Sequence, residues 1–134
     1  MVDGKRHNLP KEERLSAKLA LDRLFGNDSH SLSVFPIRAV YQVCDYEENI
    51  PQVRIMISAP KRKLKLAVER NRVKRQIREA YRLNKQHIIN DKNAESKKSV
   101  MIAFIWLDKK LWATKDIQKK VKSLVQRISE KTYG

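Results

Sequence analysis

Residues Ala67 to Arg82 read AVERNRVKRQIREAYR, six Arg and Lys residues laid over the apolar spacing of a helix. From Leu64 onward the apolar period is about 3.6 residues, which predicts a helix with Leu66, Val73, Ile77, Ala80 and Tyr81 in one stripe facing a core. Asn71, Lys74, Arg75, Arg78 and Arg82 fall within roughly 100° of one another on the opposite side. Between Lys61 and Arg82 stand ten basic residues, Lys61, Arg62, Lys63 and Lys65 among them, against two acids, Glu69 and Glu79. Like charges one turn apart repel. A helix of this kind needs burial beneath it and something negative above it.

The flanking sequence supplies the layers. After a polar arm over residues 1–14, LSAKLALDRLF sets Ala17, Leu21, Leu24 and Phe25 at helical spacing, with Ser16 as N-cap and GNDS as stop. SVFPIRAVYQVC then alternates Phe35, Ile37, Ala39, Tyr41 and Val43 on one face, a strand with Pro36 at its start or edge. Past the acidic turn DYEENIP, VRIMISA alternates again, and the two strands are expected to form an antiparallel hairpin. Beyond the basic helix, a polar stretch from Asn84 to Lys98 leads to VMIAFIWL, Val100 to Leu107. Its continuous apolarity predicts a central strand covered on both faces. Ile117, Val121, Leu124, Val125 and Ile128 close the chain with an amphipathic helix. The predicted fold is an α+β two-layer sandwich on a small mixed sheet, in one domain spanning residues 1–134.

Composition narrows the function. Thirty Lys and Arg against fifteen acids give a net charge of +15 and a pI near 10.2, which argues for a polyanionic partner, nucleic acid first. An anionic membrane surface is the other candidate, but the eight-residue apolar run is far short of the roughly 20 residues of a spanning helix. The start, MVDGKRHNLPKEER, lacks the apolar centre of a secretory signal or anchor, so a cytoplasmic location is expected. Cys44 is a lone cysteine in a strand pattern, and His7, His30 and His87 have no metal-ligand spacing. Metal-dependent nucleases need carboxylates converging on Mg²⁺, whereas Asp45, Glu47 and Glu48 sit in a turn. No residue is assigned a catalytic role, and no metal or cofactor is expected on the protein.

A comb of cations about 5 to 6 Å apart approximates the spacing of successive backbone phosphates. Arg adds bidentate contacts, and Asn71 can both donate to and accept from a sugar or base edge. The string RNRVKRQIREAYR, preceded by SAPKRKLKLAVE, closely resembles the arginine-rich signature of the bacterial ribonuclease P protein component. ERLSAKLALDRLF resembles that family's first helix ending in Phe, so the likeness covers most of the chain; Leu21 and Pro60 depart from the family's usual residues. The resemblance implies element order αβββαβα with a left-handed βαβ crossover, against the usual rule. It also implies an accessory subunit of a ribonucleoprotein endonuclease in which the RNA, using Mg²⁺, removes the 5′ leader of precursor tRNA. Arg70, Asn71, Arg72, Lys74, Arg75 and Arg78 become RNA contacts, joined by Arg82, Lys61, Arg62 and Lys63. Phe25 and Tyr41 become cleft aromatics that stack on leader bases.

The implied partners are ribonuclease P RNA and precursor tRNA, with no membrane and no obligate protein partner. Two other readings share the charge: a structural binder of ribosomal RNA, and a DNA-binding protein with the basic helix in a major groove.

Overall fold

The computed structural model describes residues 29–134; the predicted helix over residues 15–25, with Phe25, lies outside them. Four strands, β1 (His30–Val34), β2 (Ile37–Asp45), β3 (Val53–Ser58) and β4 (Lys98–Trp106), form one mixed sheet in the order β1-β2-β4-β3. The basic segment is helix α1 (Ala67–Asn84), followed by a single 3₁₀ turn (Lys85–His87) and a four-residue helix α2 (Asp91–Ala94). Helix α3 (Thr114–Tyr133) ends the chain.

The strand expected over Ser33–Cys44 is two strands. β1 and β2 pair antiparallel from His30↔Tyr41 to Val34↔Ile37, turning at Phe35 and Pro36, whose peptide bond is cis. Proline has no N–H to give a ladder and constrains the residue before it, so Pro36 turns the chain. Phe35, expected inside with Ile37, is 56% exposed in that turn. Ile37, Ala39 and Tyr41 are buried on one face as the alternation requires, and Val43 packs against them.

The expected hairpin between β2 and β3 does not form. β4 lies between them, antiparallel to β2 from Ile37↔Trp106 to Asp45↔Lys98 and parallel to β3 from Val53↔Val100 to Ser58↔Ile105. β4 is the strand with most apolar surface to hide, and the centre of the sheet is where both of its faces are covered. Val100, Met101, Ile102, Ala103, Phe104 and Trp106 are all buried. The β2–β3 connection therefore bridges two strand spacings, about 10 Å. It turns at Asn49, whose φ of 70° falls in the left-handed region that Asn tolerates. It also holds the start of β4: the Tyr46 N–H donates to Lys97 O at 2.8 Å, and the Val100 N–H to Gln52 O at 2.9 Å.

One face of the sheet carries Ile37, Ala39, Val53, Ile55, Val100, Ile102 and Phe104 into a core shared with α1 and α3. α1 contributes Val73, Ile77, Ala80 and Tyr81, and α3 contributes Ile117, Val121, Leu124, Val125 and Ile128, as their periods predict. Leu66 is a correction. It precedes the helix in extended conformation (φ −85°, ψ 129°), so a helical wheel does not reach it, and it is 60% exposed; Leu64 is buried in its place.

The polar stretch after α1 is ordered by one buried amide. Asn93 Nδ2 donates to Ile88 O at 2.9 Å and to Ser129 Oγ at 3.1 Å, while Asn93 O accepts from Gln52 Nε2 at 2.7 Å. α2 is thereby tied to α3 and to the loop before β3. At the other end of the sheet, the Trp112 indole N–H donates to Asp108 Oδ2 at 2.7 Å. The Trp112 ring stands edge-on to Trp106, with centroids 6.4 Å apart.

Two measurements check this packing. Ile77→Ala should cost about 2–4 kcal/mol in denaturant unfolding, while Leu66→Ala should stay within about 0.5 kcal/mol of the parent; equal effects would mean that the stripe is misplaced. The Trp112 indole, followed by the backbone N–H groups of Lys109 and Lys110, holds the Asp108 carboxyl below its ordinary range. A depressed carboxyl contributes stability above its unfolded pKa, about 4, that is lost as pH falls through the folded value. Acidification through that window should shift tryptophan emission before global unfolding, and Asp108→Ala should abolish the shift.

Candidate nucleic-acid interface

The cationic side of α1 is assembled by packing on its reverse. With Val73, Ile77, Ala80 and Tyr81 buried, Asn71, Arg75 and Arg82 are exposed, and Lys74 and Arg78 are partly so. Glu69 in the first turn and Arg82 in the last suit the helix dipole. Just upstream, Pro60 O accepts from the N–H groups of Lys63 at 3.0 Å and Leu64 at 3.1 Å. That turn buries Leu64 and leaves Lys61 and Arg62 exposed, with Lys63 partly covered.

The ten predicted interface cations and polar groups do not all play one part. Arg70 folds back, its Nη1 donating to Leu64 O at 2.9 Å and to Lys65 O at 2.8 Å. It braces the Lys61–Lys65 turn against the start of α1. Arg82 pairs with Glu79 three residues earlier, Nε to Oε1 at 2.9 Å. This hydrogen bond, and then the nearby guanidinium charge, lowers the Glu79 pKa and raises that of Arg82. Both side chains are about half exposed or more, so the pair adds little to stability. Among the described residues it is the single ion pair. Lys74, Arg75 and Arg78, with the neutral amide of Asn71 among them, thus form the part of the comb whose charge carboxylates of the described residues do not neutralise.

Arg72 stands on another side of the helix. With Val68, Glu69, Arg75, Glu79, Leu111 and Thr114 it lines an open groove of about 650 Å³ between α1 and the segment leading into α3. Gln76, buried beneath, fixes that segment: its Nε2 donates to Trp112 O at 3.2 Å and to Thr114 Oγ1 at 2.9 Å. Gln76, Leu111 and Thr114 escape sequence reading because they meet only through the packing of α3 on α1. The one available signal is a neutral Gln on the inner arc of a cationic helix.

Tyr41 lies on β2, not on the helix that carries the comb. It is 3% exposed, belongs to the main core, and packs its ring against His30 with centroids 5.3 Å apart. Its edge borders a second depression, about 370 Å³, with Ser31, Leu32, Val43 and Lys131. Burial raises the Tyr41 pKa, so the phenol stays a neutral donor at ordinary pH. Among the described residues no helix is long and apolar enough to cross a membrane.

Sheet order and charge together define a small basic α+β protein built to present one cationic helix. The same fold occurs in solved ribonuclease P proteins. That of Thermotoga maritima matches with a TM-score of 0.66 at 23% identity, over 86% of this chain and 96% of that one. That of Staphylococcus aureus matches with a TM-score of 0.59 at 26% identity, over 92% and 94%. The ribonuclease P protein component of Porphyromonas gingivalis is 34% identical over 121 residues, 90% of this chain and 86% of that one. Residues 9–129 match the sequence model of the Ribonuclease P family, and the chain belongs to that family.

Arg70 and Arg75 separate bracing from display. Arg70→Ala should lower unfolding stability by about 1 kcal/mol, the ordinary net worth of a hydrogen bond to a partly exposed carbonyl. Arg75→Ala should leave stability within about 0.5 kcal/mol. Chemical denaturation of the two variants checks the assignment.

Proposed function

We propose that this chain is the protein subunit of ribonuclease P in the cytoplasm, that it binds the catalytic RNA and the 5′ leader of precursor tRNA, and that the RNA cleaves the leader. The observation that carries this reading is the comb of Asn71, Lys74, Arg75 and Arg78, set over a buried stripe and left, among the described residues, without carboxylate partners. Such a surface binds phosphates through counterion release, and its guanidinium groups can hold phosphate oxygens in pairs. The Lys61–Lys63 turn, braced by Arg70, extends the positive surface beyond the helix start. The Tyr41 depression, with Lys131 on its rim, is the candidate leader-binding end, where a ring edge and a cation can meet a base and its phosphate.

The chain supplies no nucleophile in this reading. Its cations reduce the repulsion between two polyanions and let them approach. In this reading the Mg²⁺ that cleavage requires belongs to the RNA. By bringing RNA and precursor together, the protein lowers the Mg²⁺ concentration at which cleavage proceeds.

Reconstitution with ribonuclease P RNA tests this. The chain should reduce the Mg²⁺ needed to process leader-bearing precursor and show no cleavage without RNA; cleavage by protein alone, or no effect on the Mg²⁺ requirement, would overturn it. Lys74→Ala with Arg78→Ala should weaken RNA binding and flatten the log-log salt dependence by about 0.7 for each single-strand phosphate no longer neutralised, measured by filter binding across a salt series.

A further inference from the structure

The groove between α1 and residues 111–114 differs in chemistry from the comb beside it. Its rim is cationic at Arg72 and Arg75, its wall apolar at Val68 and Leu111, and it holds the hydroxyl of Thr114 and two carboxylates, Glu69 and Glu79, the latter paired with Arg82. Val68 is 70% exposed, an apolar side chain standing between charged neighbours near the start of the helix. It is not among the side chains packed on the main core. Phosphates alone would not suit such a surface, since an apolar wall and a carboxylate gain nothing from them.

One ligand accounts for the cations, the apolar wall and the Glu69 carboxylate together. We infer that the groove holds a single unstacked nucleotide of the RNA partner: phosphate on Arg72 and Arg75, base face on Val68 and Leu111, base N–H donors toward Glu69. Carboxylates accept from base amino groups, and side chains beneath a splayed base replace the stacking that it loses. The groove, at about 650 Å³, falls within the range of small-molecule sites. It is also pre-formed, because the anchored Gln76 amide holds Trp112 and Thr114 against α1. Gln76 is a positioning residue here, its Nε2 committed to Trp112 O and Thr114 Oγ1. The inference rests on the RNA-binding reading above and adds a site that discriminates an unpaired base from a duplex.

The test uses full-length protein with ribonuclease P RNA. Val68→Gln is charge-neutral, sits at an exposed position and should fold normally; Leu111→Ala, partly buried, is the companion variant, with circular dichroism to check folding. Base-specific chemical probing should find one nucleotide reactive in free RNA, protected by the parent protein, and reactive again with either variant. Affinity should fall about five- to tenfold, at the lower end of the loss seen when a stacking side chain is removed, with the salt slope unchanged because the cations that meet phosphate are all still in place. Protection that survives both substitutions, or no single-nucleotide protection by a parent protein that still binds, would overturn the inference and leave the RNA-binding reading standing. No binding at all would overturn that reading first.

Discussion

The structure depends on the burial of four side chains, Val73, Ile77, Ala80 and Tyr81, under a helix that would otherwise repel itself. Lys74, Arg78 and Arg82 follow one another at four-residue intervals, an arrangement that disfavours an isolated helix by a few tenths of a kcal/mol per pair. Full burial of Ile77 alone is worth about 1.5–3 kcal/mol. Packing therefore outweighs repulsion, and the charges are held in place by the core. Among the described residues only Arg82 is neutralised by a neighbour, and Arg70 is turned inward to brace the preceding turn. The remainder of the helix's charge has no carboxylate partner among the described residues.

That division of labour accounts for what is legible in the sequence. Period is a local property, so the faces of α1, α3 and the strands can be read directly, and so can the central place of the apolar run in β4. Partners are not local. The alternation of β2 and β3 is satisfied equally by a hairpin and by two strands flanking a third, and only the demand of β4 for cover on both faces decides between them. Pro36 suits the start of one strand as well as a turn between two, and it is the pairing of β1 with β2 that selects the turn. Leu66 falls in the stripe only when a wheel is extended across a residue that is not helical.

The candidate site divides in the same way. The comb is legible because its members lie on one helix, at spacings that imply their common direction. The bracing by Arg70 is not, since the signature gives every arginine the same letter while only geometry shows which carbonyls one of them caps. The groove is less legible still. Leu111 and Thr114 lie far along the chain from Arg72 and are brought beside it by the packing of α3 on α1 and by the Gln76 amide. A site made by tertiary contact leaves no period to find.

Comb and groove also differ in what salt does to them, which bears on how one small protein can be both adhesive and selective. In the proposed reading the comb acts through released counterions, so its hold on any polyanion weakens as salt rises. The same ions screen the repulsion along α1 and favour the folded protein. Contacts at Val68 and Leu111 are apolar and carry almost no such dependence. Near physiological ionic strength, where the Debye length is about 8 Å, long-range attraction is already damped and short-range fit weighs more. A helix that combined only cations would bind every RNA in proportion to its charge; on the inference drawn above, an apolar, carboxylate-bearing groove along its edge ties affinity to one local shape of the RNA.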